Sequence, residues 1–336
     1  MSTVPCDPFL RGLLSDPPWA GSRFPASARK RLPADSVEAA RVPASVHLAI
    51  EGTAKRVVIG FERRDRLANV SPATKQEFMA VSCDRLVRTP MPDTGDTVVV
   101  ELPERGLDDT VEVFLPEAFD LRSLTVYPLG GTILPASAAR PRWIAYGDSI
   151  TQGWSVAEAS NSWARRIARR YGLELVNLGL AGSARGETAA AMAVAEATAD
   201  IVTIAWGTNA WATIPTDAEQ IRHTMRTFLT TVRQGQPHVP IVVMSPIVRP
   251  KAESTPNRLG STLSELRSAL EESVREFQGA SNDGRITLVL GLDLVEPDEL
   301  ADGLHPNDQG HGTMADRIAP YIESALALDV SAMEHS

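Results

Sequence analysis

Between Ser45 and Leu129 the apolar residues fall in short runs of period-two character, rich in β-branched side chains: VHLAIEG at 46–52, KRVVIGFE at 55–62, TVVVEL at 97–102, TVEVFLP at 110–116 and SLTVYPL at 123–129. Period-two spacing sends successive side chains to opposite faces of an extended chain, so each run predicts a half-buried β-strand. MPDTGD at 91–96, ERGLDD at 104–109 and Pro116 with Glu117 punctuate the runs as turns, and no convincing helix lies between them. Short strands with this punctuation predict an all-β, jelly-roll-like sandwich.

The texture changes after Leu129. GGTILPASAARPR at 130–142 is rich in Gly, Pro, Ala and Ser, as a connector would be. Beyond it, continuous apolar runs alternate with amphipathic stretches: RWIAYG then 158–171, LELVNLG then 186–198, DIVTIAWG then 217–234, PIVVMSP then 258–278, and RITLVLG then 308–327. Runs without alternation fit strands covered on both faces, so this half predicts a three-layer α/β domain with a parallel sheet. The expected division is an N-terminal β-sandwich domain with an irregular leading segment, 1–135, and an α/β domain, 136–336. A length of 336 residues agrees, since it exceeds what one core usually organises.

Composition narrows the partners. With 43% hydrophobic and 22% charged residues the chain is globular in character rather than disordered. A net charge of −9 and no basic run argue against nucleic acid or an anionic membrane as partner. Cys6 and Cys83 are too few for a disulfide framework and have no metal-ligand spacing. Asp and Pro interrupt the first thirty residues where a signal peptide needs an apolar core, and no stretch reaches the length of a membrane span. A soluble, cytoplasmic protein is expected, with export by another route left open.

In open parallel sheets ligands gather beyond the carboxyl ends of the strands, so the residues that follow each apolar run are the candidates. They read GDSITQG at 147–153, NLGLAGSARG at 177–186, GTNA at 207–210 and DGLHP at 302–306. Ser149 stands where a strand turns, beside Gly147. A serine hydroxyl becomes a useful nucleophile only with an adjacent base and with donors for the oxyanion it generates. His305 lies three residues after Asp302 and before Pro306, close enough for the carboxylate to reach Nδ1 and leave Nε2 free to take the serine proton. Asn209 can donate its amide into a cleft, and Gly182 offers an N–H without a side chain. Taken singly, Ser149 also reads as a helix cap, Asn209 as an Asx turn, and Asp302 with Gly303 as a turn. His47, His223, His238, His311 and His335 sit in contexts that read better as solvated or helix-face groups.

Ser149 in GDSI, Gly182 closing N-x-G-x-x-G at 177–182, Asn209 in GTN, and Asp302 with His305 in D-x-x-H-P resemble, in that order, the four sequence blocks of the SGNH (GDSL-type) hydrolases. The resemblance spans about 143–327. It implies a flavodoxin-like domain, Ser149 as nucleophile, His305 as general base oriented by Asp302, and an oxyanion hole from the N–H groups of Ser149 and Gly182 with the Asn209 side chain. Two positions depart: Ile150 where Leu is common, and Ala210 where an Asp is common. The β-rich first half resembles two-domain carbohydrate esterases of the same superfamily, in which a jelly roll precedes the hydrolase domain. The implied activity is hydrolysis of short acyl esters, in particular acetyl esters of a sugar or polyol, with no metal or organic cofactor. A rival reading is an acyltransferase that uses the same acyl-serine, and a third is an inactive ligand-binding protein. Trp154, Trp206 and Trp211 are candidates for an apolar or sugar-stacking wall, with a buried core role equally open for Trp206, which ends a strand run; Arg185 is a candidate for contact with a polar or anionic substrate, or else a solvated arginine at a helix start. The polar segment 249–261 is a candidate lid.

Overall fold

The computed structural model describes residues 4–14, 19–68, 70–71, 76–106, 109–137 and 140–333, with the backbone alone from 328 onward. Positions 107–108 of the ERGLDD turn, 138–139 of the connector and parts of the leading segment lie outside the described residues.

The first half contains β1 (Val4–Pro5), β2 (Leu10–Arg11), α1 (Ala26–Arg29), α2 (Ala34–Ala39), β3 (His47–Glu51), β4 (Arg56–Arg66), β5 (Glu77–Ser82), β6 (Arg85–Pro90), β7 (Thr97–Glu101), β8 (Val111–Phe114), β9 (Phe119–Pro128) and β10 (Leu134–Pro135). Two antiparallel sheets result, one ordered β1-β9-β4-β7 and the other β10-β3-β8-β5-β6, with β2 added to β3. Alternation works as expected in β7, where Val98 and Val100 are buried and Val99 is 45% exposed. Those two valines meet Val57, Ile59 and Phe61 of β4 and Leu48, Ile50, Val111 and Val113 of the facing sheet in a single core.

Three features go beyond the sequence reading. The β5–β6 hairpin was not expected, because its turn is made by Cys83, at φ +51, and Asp84 rather than by a Gly or Asn signal. The connector is partly strand: β10 pairs with β3 through Leu134–Glu51 and Pro135–Ile50. The leading segment is ordered into β1, β2 and two short helices, and Leu14, Phe24, Ala28, Leu32, Ala39 and Ala40 join the core of the α/β layer.

That layer is built from β11 (Arg142–Gly147), α3 (Ser149–Gln152), α4 (Trp163–Tyr171), β12 (Glu174–Gly179), α5 (Thr188–Glu196), β13 (Ile201–Ala205), α6 (Ala218–Gly235), β14 (Ile241–Met244), α7 (Leu263–Ser281), β15 (Ile286–Val289) and α8 (Asp308–Met333). The five strands are parallel in the order β12-β11-β13-β14-β15, the flavodoxin-like arrangement. Trp143, Ile144, Ala145 and Tyr146 of β11 are all fully buried, which accounts for the lack of alternation in that run. Helices α5, α6 and α7 cover one face of the sheet, and α4 with α8 the other. The order turns back at β11, so the loops leaving β11, β12, β13, β14 and β15 share one edge, with those of β11 and β13 side by side at the switch point.

Arg23 ties the leading segment to this edge. Its guanidinium is fully buried and donates to the carbonyls of Asn177 (2.7 Å), Gly179 (2.7 Å) and Ala39 (2.8 Å). Burial pulls its pKa down to about 10 against the opposing pull of Glu117. Removing the guanidinium takes a buried, charged donor from three carbonyls, of which that of Ala39 also accepts the Val42 N–H at 3.3 Å. Arg23→Ala is therefore expected to cost about 3 kcal/mol or more of stability, read as a lower urea midpoint at unchanged m-value.

Candidate active site

Ser149 opens α3 directly after β11. Asp148 caps this short helix, its Oδ1 accepting the Ile150 N–H at 3.0 Å, and its carboxyl also meets the backbone N–H groups of Thr151 and Thr208. One buried carboxyl thereby joins the Ser149 turn to the Asn209 loop. Burial raises its pKa to about 7, against the lowering effect of those N–H donors. The turn lies almost on the end of β12: a Cβ built on Gly179 would stand 2.2 Å from the Gln152 nitrogen. Gln152 Oε1 in turn accepts the Ala181 N–H at 3.1 Å, and Asn177 Nδ2 donates to the Thr151 carbonyl at 2.8 Å.

Ser149 and His305, 156 positions apart in the chain, meet with Oγ 2.9 Å from Nε2. Asp302 Oδ2 lies 2.7 Å from His305 Nδ1, and its Oδ1 accepts the N–H groups of His305 (2.8 Å) and Leu304 (3.0 Å). Because an ionised carboxylate can only accept, Nδ1 carries the proton and Nε2 is the free acceptor toward Ser149. Burial raises the Asp302 carboxyl, but the backbone N–H and imidazole of His305 outweigh it and hold the group below its ordinary value. His305 is itself lowered: burial and the charge of Arg249 prevail over the raising effect of Asp302, so the imidazole is neutral at pH 7. The loop is closed by a Leu300–Pro306 bridge and by the Ala301 N–H on the His305 carbonyl at 2.8 Å.

Trp154 stacks on the His305 ring at 5.4 Å between centroids and 28° between planes. Its carbonyl lies 3.0 Å from Nε2 of His311, whose Nδ1 takes the Trp163 N–H at 3.3 Å. The reading of His311 and His47 as solvated or helix-face groups is corrected here. Both are buried, and burial lowers each to a pKa of about 4, so they serve as neutral hydrogen-bonding groups of the interior. At the start of α8, His311 braces Trp154, while Asp308 accepts the Ala157 N–H at 3.2 Å. His311 carries no sequence signal that separates it from a surface helix histidine.

Gly182 is exposed, with open space where a side chain would stand. Among the described residues nothing accepts the backbone N–H of Ser149 or Gly182. Asn209 is 5% exposed; its Nδ2 donates one hydrogen to the Ala184 carbonyl at 3.2 Å, and its Oδ1 accepts from Thr213 Oγ1 at 3.3 Å, which leaves the second amide hydrogen uncommitted. Trp206, a candidate for the pocket wall, is instead 2% exposed and belongs to the sheet core beside Gly186. Arg185 is paired with Asp35 and donates Nε to the Ser183 carbonyl at 2.9 Å.

The segment 249–261 is braced rather than hinged. Trp211 Nε1 donates to the Thr255 carbonyl at 2.7 Å, and Asn257 Nδ2 donates to the carbonyls of Ala210 (3.1 Å) and Thr216 (2.9 Å). Glu253 accepts both Arg267 (2.7 Å and 2.8 Å) and the Arg249 N–H (3.0 Å), and Ala252 is fully buried. Its first residue, Arg249, escaped the sequence reading; the available signal was its place as the first charged residue after the β14 run. Among the described residues no cluster of three or more His, Cys, Asp or Glu could hold a metal ion, and no helix is long and apolar enough to cross a membrane.

A flavodoxin-like sheet with this serine, histidine and aspartate at its carboxyl edge is the architecture of an SGNH-type hydrolase domain. The chain belongs to the GDSL-like lipase/acylhydrolase family, whose profile matches residues 145–312, half of its length. No curated protein sequence matches it. Among solved structures it is similar to a protein from Bacteroides ovatus described as a GDSL-like lipase, at 20% identity and a TM-score of 0.79 over 97% of this chain and 98% of that one. It is similar also to the salicylyl-acyltransferase SsfX3 of a tetracycline biosynthetic pathway (22%, TM-score 0.77, 96% and 97% covered). A family two carbohydrate esterase from Clostridium thermocellum, solved with cellohexaose, aligns at 19% identity and a TM-score of 0.57 over 84% of this chain and 92% of that one. At these identities the likeness is one of fold, and it extends through the β-sandwich as well as the family domain.

Asp148 yields a pH-dependent expectation. Its native carboxyl keeps a proton up to about pH 7, whereas the unfolded chain releases it near 3.8, so its contribution to stability is full at low pH and is lost as pH rises through 7. Asn cannot ionise. Asp148→Asn should therefore gain stability relative to the parent between pH 5 and pH 8, on the order of 2 kcal/mol in paired urea titrations.

Proposed function

We propose that the protein is a serine esterase that cleaves short acyl esters, acetyl esters above all, from a sugar or other polyol. The observation that carries this reading is the hydrogen-bonded line from Ser149 Oγ through His305 to Asp302, at 2.9 Å and 2.7 Å. Ser149 Oγ attacks the acyl carbonyl as its proton passes to His305 Nε2; the tetrahedral intermediate expels the alkoxide, which takes that proton, and water repeats the sequence on the acyl-enzyme. Asp302 holds the imidazole in the needed tautomer and faces the positive charge that forms. The uncommitted donors, the N–H groups of Ser149 and Gly182 and the amide of Asn209, stabilise the oxyanion. Residues 136–336 carry the chemistry in this proposal, and residues 1–135, with the strand-rich sandwich, frame its cleft; Trp154 and Trp211 supply apolar walls.

The acyltransferase alternative keeps the acyl-serine and replaces water by an alcohol or amine. Its support is the likeness to SsfX3 along both chains. Product analysis with candidate acceptors separates the two, since free acid as sole product rejects transfer.

Ser149→Ala is expected to lower kcat/KM toward p-nitrophenyl acetate by a thousandfold or more and to abolish labelling by a fluorophosphonate; full activity in the variant rejects the proposal. The pH profile follows from His305. The neutral imidazole is the active form and its pKa lies below 6.5, so kcat/KM should be flat near pH 7 and fall on the acid side with a midpoint under 6.5. A midpoint above 6.5 contradicts that assignment.

A further inference from the structure

Arg249 stands at the carboxyl edge between the Asn209 loop and the Asp302–His305 loop, because β14 lies between β13 and β15. Its guanidinium lies over the Trp211 ring, 4.6 Å from the centroid. The indole is fixed by its bond to the Thr255 carbonyl, and Arg249 by its backbone N–H on Glu253. Arg249 is half-buried, yet its guanidinium makes neither a hydrogen bond nor an ion pair with any described residue. Nearby acids are committed elsewhere: Glu253 to Arg267, and Asp302 to His305 and Leu304. Arg185, by contrast, is neutralised by Asp35. The charge of Arg249 is felt by both Asp302 and His305, in keeping with its place on the edge between their loop and that of Asn209.

A guanidinium is planar and presents its edge donors in a fork that suits the two oxygens of a carboxylate, and the Trp211 ring 4.6 Å away helps to hold Arg249 in place. We propose that Arg249 is a specificity-determining residue that binds a carboxylate on the alcohol portion of the ester, so that the preferred substrate is an acylated hydroxy acid or uronic-type sugar. The alcohol side is assigned because His305 delivers its proton to the leaving alkoxide, and Arg249 lies with His305 and Asp302. This deepens the esterase reading and rests on it.

The test compares 3- and 4-acetoxybenzoate with their methyl esters, for the parent protein, Arg249→Gln and Arg249→Lys. At least one carboxylate should be cleaved with a kcat/KM about tenfold or more above its methyl ester at low salt. Arg249→Gln should erase that ratio chiefly through KM, and Arg249→Lys should restore part of it, because charge remains but the fork is lost. The acid limb with the neutral ester should also move to higher pH in Arg249→Gln and return in Arg249→Lys. Calorimetric binding of benzoate to Ser149→Ala, lost in Ser149→Ala/Arg249→Gln, reads the same contact without turnover. Equal or better cleavage of the methyl esters by the parent, or an equal loss on both substrates in folded Arg249→Gln, overturns the assignment while leaving the esterase reading intact. No cleavage of any ester together with no fluorophosphonate labelling overturns both.

Discussion

The close approach of the Ser149–Gln152 turn to the ends of β11 and β12 is the contact on which the site depends. A Cβ on Gly147 would fall 2.4 Å from the Ala205 carbonyl, and one on Gly179 would fall 2.2 Å from the Gln152 nitrogen. Only bare backbone lets the turn sit this deep between neighbouring strands. Once seated, the turn receives Asp148 as cap and cross-link, Asn177 on the Thr151 carbonyl, and Gln152 on the Ala181 N–H. The serine hydroxyl then meets His305 of the loop that follows β15, at the same edge of the sheet.

The charge distribution around this edge is uneven. Several buried acids and bases are neutralised, as with Glu112 between Arg140 and Arg165, or pushed toward their neutral forms, as with His47 and His311. Such pairing suits an interior, where an unpaired charge is expensive. Arg249 departs from that pattern at the rim: over Trp211, its guanidinium has neither a hydrogen bond nor an ion pair among the described residues, and that observation points toward a ligand there.

The two halves of the molecule are joined more closely than a connector between separate domains requires. Arg23 reaches from the leading segment to the carbonyls of Asn177 and Gly179, and Ser36 Oγ donates to Glu187 at 2.7 Å, next to the loop that carries Gly182. On the other face, Arg165 of α4 lies over the Phe114 ring at 4.7 Å and pairs with Glu112 of β8. The leading segment therefore touches the backbone that leads into the Gly182 loop, while the sandwich is fastened to α4.

The sequence by itself determined the alternation of strands and helices in the α/β half, its parallel sheet, the sandwich character of the first half and the four short blocks that define the family, because each is written in local periodicity or contiguous residues. The same locality made the Asp302–His305 pairing readable, since three residues of loop fix their distance. Tertiary structure alone decided what distant segments do together: the meeting of Ser149 with His305, the burial of Trp206 and His311, the bracing of 249–261 and the placing of a half-buried Arg249 over Trp211 without a hydrogen bond or ion pair among the described residues. The leading segment was opaque for the same reason. Its two-residue strands and four- to six-residue helices are too short to show a period, and they persist because they pack against a core built from the other end of the chain.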